Sequence, residues 1–129
     1  MRLSAKEIEV MSTKNNKERY AYFIKRAVDN ESFWVLDDNG FALSSDDEGH
    51  DILMLWSANE YASACATDGW ASYRAKELSL DYLIENLLPD LSTKGVKVGV
   101  FMVPSTLDTP VVDADDLLND LNSECHKYD

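Results

Sequence analysis

Ile52-Leu53-Met54-Leu55-Trp56 is the stretch of sequence that decides the fold, because five consecutive apolar residues predict a strand buried on both faces. A second stretch, residues 96–103, carries Val96, Val98, Val100 and Met102 on one face and is largely apolar on the other. Both strands are therefore predicted to be central in a sheet. Helices are expected to cover both sides of that sheet, at least in part.

A β-hairpin is predicted over residues 32–44, upstream of the first central strand. Asn39-Gly40 lies between two apolar runs, and this dipeptide is the strongest short signal for a hairpin turn. A second polar turn follows at residues 45–50. Shorter extended segments are predicted near residues 74–78 and 111–112.

Helical periodicity accounts for most of the remaining chain. Apolar residues recur at three- and four-residue intervals over residues 20–28, 80–91 and 114–125. Pro89 is expected to bend or interrupt the end of the second of these helices. Shorter helices are predicted up to Met11 and from about residue 59 to 66. The predicted N-caps, chosen by residue type, are Ser4, Ser57 or Asn59, Ser79 and Asp113.

These elements predict an α+β fold. The sheet should be mixed or mainly antiparallel, with four to six short strands and helices packed on it. A chain of 129 residues with 45% apolar content matches one domain with a substantial core, so residues 1–129 are expected to form a single globular domain.

The charge is distributed unevenly along the chain. Residues 1–26 carry seven bases and three acids, residues 27–73 ten acids and no base, and residues 74–129 five bases and eleven acids, for a net charge of −12. Such acidity repels phosphate groups, so binding to nucleic acid or to an anionic membrane is disfavoured. A basic protein is the expected partner.

The chain is predicted to be cytoplasmic. Its first residues predict a charged helix, not an apolar signal segment, and no apolar run is long enough to span a membrane. Cys65 and Cys125 stand alone, without the spacing of a disulfide framework or a zinc site.

The motifs searched for do not point to catalysis. The signatures of nucleotide-binding loops, zinc proteases and serine hydrolases are missing, and no cofactor or metal is expected. Cys65 and His50 could form a pair of nucleophile and base, but a buried structural cysteine is the favoured interpretation. The acidic turns do not supply the ligands of a calcium loop in either possible register.

The candidate interaction surface combines turn acids with aromatic residues. Trp34 and Trp56 lie in apolar strands and are interpreted as core, whereas Trp70 lies in a loop-like segment where an aromatic side chain can anchor a partner. The predicted surface consists of Asp46, Asp47, Glu48, Trp70 and Tyr73.

Three functional hypotheses follow. The first is a non-enzymatic, acidic protein-interaction module, a regulator or an immunity-type binder of a basic partner. The alternative is a small enzyme that uses carboxylates, which requires a pocket holding at least two of them beside an aromatic wall. Mimicry of DNA by ordered carboxylates also fits the charge, but many of these acids are predicted to lie in turns.

A set of segments spread over most of the chain carries a family resemblance. They are residues 18–25, 34–38, 40–43, 55–56 and 60–62, Trp70, and residues 80–81, 87–89 and 95–100. In these segments the chain resembles a bacterial family known as domain of unknown function 2750. The resemblance implies a small, soluble bacterial α/β domain and supplies no catalytic residues. Proline commonly follows the family's equivalent of Trp56, where this chain has Ser57.

Overall fold

The structure, a computed structural model, describes residues 5–104 and 109–127. The helices are α1 (Ala5–Ser12), α2 (Asn16–Asn30), α3 (Asn59–Ala64), α4 (Leu80–Tyr82), α5 (Leu88–Lys94) and α6 (Ala114–His126). The strands are β1 (Ser32–Asp37), β2 (Leu43–Ser45), β3 (Asp51–Leu55), β4 (Arg74–Ser79), β5 (Lys97–Val100) and β6 (Val111–Asp113). The predicted α+β fold is confirmed, and the strands divide into two sheets.

The larger sheet has the order β2-β3-β5-β6, with β3 and β5 parallel at its centre and antiparallel pairs on either side. The central position of both predicted strands is confirmed, and their side chains are buried on both faces. Gly99 lies opposite Met54, and a Cβ at this position would lie 2.8 Å from the Met54 thioether. A larger residue here would therefore force the end of the Met54 side chain to move inside the sheet.

The smaller sheet corrects the predicted hairpin. β1 pairs along its whole length with β4, and β2 pairs with β3. The turn at Asn39 and Gly40 is present, but a single bridge between Asp37 and Phe41 is all that joins its two arms. The six-residue β4 offers β1 a full ladder, so long-range pairing overrides the local turn signal.

The two sheets meet at Trp34 and Trp56. The backbone N–H of Trp34 donates to the Trp56 carbonyl at 2.7 Å, and the reverse hydrogen bond is 2.9 Å long. Trp56 is fully buried, as predicted, and its Nε1 donates to the Met102 carbonyl. Trp34 is half-buried and packs against the core, so its interpretation as a core residue is right only in part.

The second central strand is shorter than residues 96–103 because the backbone turns at Phe101. Phe101 has a left-handed φ of 58°, a conformation that is strained for an aromatic residue. Its N–H donates to the Leu55 carbonyl, and its own carbonyl accepts a 2.9 Å hydrogen bond from Nη1 of the buried Arg19. Much of the predicted loop at residues 104–109 lies outside the described residues.

Helix ends agree with the predictions in part. The Ser79 hydroxyl accepts from the Tyr82 N–H, which confirms that cap. Neither predicted cap of α3 is right, because Ala58 occupies the N-cap position. Asp113 is the N-cap residue of α6, but its side chain makes no capping hydrogen bond. Ser4 lies outside the described residues.

The helical segment after β4 is interrupted, but upstream of Pro89 and not in its last turn as predicted. A π-helical stretch, Leu83–Leu87, separates α4 from α5, and α5 continues past Pro89 to Lys94. Pro89 lies in the first turn of α5 and has no N–H to donate to the preceding turn. Among residues 5–104 and 109–127, no helix combines the length and apolarity needed to cross a membrane.

Candidate functional site

A cleft of about 660 Å³ opens where α2, β1, β4 and the segment that leads into α3 come together. Its size falls within the range of small-molecule and side-chain binding pockets. The described residues that line it are Tyr22, Arg26, Asn30, Ser32, Trp34, Ser57, Ala58, Asn59, Glu60 and Glu77.

One wall of the cleft is an internal arginine site. The guanidinium of Arg26 lies 5.4 Å from the centre of the Tyr22 ring, and its Nη2 is 3.2 Å from Oε2 of Glu7. The Tyr22 hydroxyl donates to the same carboxylate at 2.5 Å and lies 3.1 Å from the Tyr61 hydroxyl. Burial and the hydrogen bond to Glu7 raise the pKa of Tyr22, so this hydroxyl stays protonated at neutral pH.

On the strand side of the cleft, Trp34 and Glu77 are direct partners in the antiparallel register of β1 and β4. Side chains of directly opposed residues lie on the same face of a sheet, and alternation places Ser32 on that face as well. The Ser32 hydroxyl donates to Oε2 of Glu77 at 2.8 Å. Glu77 is exposed to solvent, and this hydrogen bond holds its carboxylate on the Trp34 face of the strand pair.

Ser57 contributes a buried hydroxyl to the cleft wall. The residue is 3% exposed, and its Oγ has no hydrogen-bond partner among the described residues. A buried hydroxyl without a partner costs about 1–3 kcal/mol. Ser57 thus combines burial at the cleft with unused hydrogen-bonding capacity.

The predicted turn acids have different roles. Oδ1 of Asp46 accepts hydrogen bonds from the N–H groups of Glu48 and His50, and Oδ2 lies 3.1 Å from Nδ1 of His50. The hydrogen bond from the His50 backbone is the largest cause that lowers the pKa of Asp46. Asp46 therefore holds the turn together. Asp47 and Glu48 are exposed to solvent, and the Glu48 side chain is 80% accessible.

The predicted aromatic residues lie in the segment before β4, where Asp68–Trp70 form a short 3₁₀ helix. Trp70 is half-buried and packs edge-on against Trp56, with 6.5 Å between ring centres, and Tyr73 is half-buried close to the start of β4. Trp56 follows β3, whereas the acidic turn at residues 45–50 precedes β3. The backbone of β3 therefore separates the two groups by about 17 Å at roughly 3.3 Å per residue.

The two residues of the hypothetical nucleophile pair make other contacts. Cys65 is buried, its Sγ donates to the Met102 carbonyl at 3.3 Å, and burial raises its pKa to about 11. His50 instead pairs with Asp46. A buried thiol with a raised pKa is a poor nucleophile, which favours the structural interpretation of this cysteine.

The cleft was not predicted from the sequence as a site. Trp34 and Glu77 are 43 residues apart, and only the pairing of β1 with β4 brings them together. The one local signal was Ser57, which departs from the proline that the resemblance leads one to expect. No group of three His, Cys, Asp or Glu residues suited to a metal ion occurs in the described part of the chain.

Fold and cleft together define a small α+β protein with a polar cleft between its smaller sheet and α2. Residues 20–121 match the family described as protein of unknown function (DUF2750), and the chain belongs to that family. A comparison with curated proteins gives no match.

Proposed function

We propose that this protein is a cytoplasmic, non-enzymatic interaction module that binds a basic protein, as a regulator or an immunity-type binder. The observation that carries the proposal is the segment 27–73, which has ten carboxylates and no lysine or arginine. A surface with one sign of charge attracts and orients a partner of opposite charge.

The exposed turn between β2 and β3 supports this proposal. Asp46 uses its carboxylate to fix the backbone, so Asp47 and Glu48 are presented on an ordered turn. An ordered turn loses less conformational entropy on binding than a mobile loop. These two carboxylates are therefore the strongest candidates for contact with a basic partner.

The proposal is tested by capture from a native lysate of the source organism. The immobilised chain should retain a basic protein that elutes as the salt concentration rises, because ion pairs between exposed groups are screened by salt. The captured protein is then identified and its affinity is measured by calorimetry. Absence of any salt-sensitive partner contradicts the proposal.

A charge-matched pair of variants makes the test specific. The double variant D47N/E48Q should weaken binding of the identified partner about tenfold or more. The control, D81N/E85Q, removes the same charge from exposed positions on the helical segment after β4. Equal loss of affinity in both variants would show a general charge effect and would exclude the turn as the contact site.

The cleft favours a second candidate function, a small enzyme that uses carboxylates. Glu60 and Glu77 both line the cleft beside the indole of Trp34, which meets the requirement for two carboxylates near an aromatic wall. Turnover of a panel of chromogenic glycosides and peptides, lost in both E60Q and E77Q, would establish this function. Turnover that survives both substitutions would exclude these carboxylates as catalytic residues.

A further inference from the structure

We infer that the cleft is an arginine-binding site, in which the Trp34 ring and the Glu77 carboxylate receive an arginine side chain of the basic partner. This inference rests on the proposed function and gives it a specific contact. It concerns residues other than the exposed turn, so the two can be tested separately.

The wall formed by Tyr22, Arg26 and Glu7 shows how this cleft holds a guanidinium. There, the centre of an aromatic ring lies 5.4 Å from the guanidinium carbon, and a carboxylate oxygen lies 3.2 Å from a guanidinium nitrogen. Stacking on a ring combined with a carboxylate contact is favourable for arginine, because its planar, weakly hydrated cation can make both interactions at once.

Trp34 and Glu77 present the same two components on the strand side of the cleft. They are direct cross-strand partners, and Glu77 is held in place by the Ser32 hydroxyl. No basic side chain in the described part of the chain lies within ion-pair distance of the Glu77 carboxylate. Its charge is consequently available to a cation from outside the chain.

Ser57 is an independent sign of an unfilled interaction at the same place. Its residue is 97% buried by the surrounding chain, it lines the cleft, and its hydroxyl has no partner among the described residues. The guanidinium carries five N–H donors, so it has donors left for a hydroxyl after it has met a carboxylate.

Arginine fits these observations better than a neutral or anionic group. The described carboxylates in and beside the cleft are Glu7, Glu60 and Glu77, whereas Arg26 is the one described base that lines it. Since Arg26 is already paired with Glu7, the Glu77 carboxylate sets the charge that a ligand meets on the strand side of the cleft. That carboxylate would repel an anionic ligand and would offer a neutral ligand no ion pair.

The test uses the full chain and N-acetyl-arginine amide as the probe, followed by nitrogen-resolved NMR. Saturable shifts are expected at the indole of Trp34 and at the backbone amides of Glu77 and Ser57. N-acetyl-citrulline amide has nearly the same shape without the charge, so it should bind at least about tenfold more weakly. Equal binding of the two probes, or absence of saturable shifts at the cleft, overturns the inference.

Two variants assign the effect to Glu77. Glu77→Gln preserves the shape and can still accept from Ser32, and it should weaken binding of the arginine probe about tenfold. Glu85→Gln removes an exposed carboxylate away from the described cleft lining and should leave the affinity unchanged. An unchanged affinity in Glu77→Gln would show that the Glu77 carboxylate does not bind the arginine probe.

The experiment also separates this inference from the proposed function. If a basic partner binds through the exposed turn but neither the probe nor Glu77→Gln has an effect at the cleft, the arginine site is wrong and the interaction function stands. If the probe binds the cleft as described but no salt-sensitive partner is captured, the interaction function is wrong and the arginine site stands.

Discussion

Arg19 donates a 2.9 Å hydrogen bond from Nη1 to the carbonyl of Phe101, the residue at which the backbone turns away from β5. The left-handed conformation of Phe101 costs about 1–2 kcal/mol. Arg19 is buried on α2, and it therefore ties the helix to a strained point beside the central sheet.

Arg19→Met should destabilise the protein by about 1.5–3 kcal/mol, because it removes a charged donor from a buried carbonyl. Urea unfolding should show a lower midpoint at an unchanged slope. Lys17→Met, at an exposed position on the same helix, is the control and should change the stability by less than about 0.5 kcal/mol. Equal stability of Arg19→Met and the native protein would mean that the hydrogen bond contributes nothing net.

Gly99→Ala should destabilise the protein by about 1–3 kcal/mol through overpacking. The added Cβ would lie 2.8 Å from the Met54 thioether and 3.1 Å from Cγ2 of Ile52, and both neighbours are buried. Unfolding by urea measures the effect. Gly69→Ala is the matched control, since a Cβ there meets nothing within 4 Å.

Coupling between Gly99 and Met54 gives a further check on this contact. When Met54 is first shortened to Val, the additional loss caused by Gly99→Ala should be smaller than in the native background. Additive losses in the double variant would show that the thioether is not the group that excludes the methyl.

Cys65 should react slowly with a thiol reagent in the folded protein. Burial raises its pKa to about 11, so only about one thiol in a thousand is ionised at pH 8. Cys125 is half-exposed and should be labelled first. Labelling rates of C65S and C125S, followed by mass spectrometry, separate the two sites. Rapid reaction of Cys65 in folded C125S would contradict this expectation.

Asp46 should make the turn between β2 and β3 sensitive to acid. Its folded pKa is lowered, chiefly by the hydrogen bond from the His50 backbone, so its contribution to stability is present above the unfolded pKa and is lost as pH falls through the folded value. Carbon-detected NMR of the side-chain carboxyls should show Asp46 protonating below the ordinary range of an aspartate. Protonation at or above that range would contradict the hydrogen-bonding scheme.

Substitution separates the structural role of Asp46 from a general charge effect. Asp46→Ala should destabilise the turn at neutral pH and abolish its additional sensitivity to acid, whereas Asp47→Ala should do neither. Thermal unfolding at several pH values measures both variants.

The central part of the fold was predictable because it depends on local composition. A strand that is apolar on both faces has to be central, and this identified β3 and β5 correctly. The partner of β1 was not predictable in the same way. Asn39-Gly40 forms a real turn, but the choice between β2 and β4 depends on contacts about forty residues away.

The candidate site was likewise predictable only where it depends on local sequence. The exposure of Asp47 and Glu48 followed from their place in a polar turn, and the predicted burial of Trp56 is confirmed. Trp34 was interpreted as core because its neighbours in sequence are apolar. Its place at the cleft results from the pairing of β1 with β4, which puts Glu77 opposite it.

The junction between the two sheets has a consequence for local unfolding. Trp34 and Trp56 exchange two backbone hydrogen bonds where the smaller sheet meets the larger one. Amide exchange at these two positions therefore measures whether the sheets open together. Protection equal to that of Leu53 and Val98 would mark one cooperative unit. Earlier exchange would show that the smaller sheet, with the cleft, detaches while the central strands remain folded.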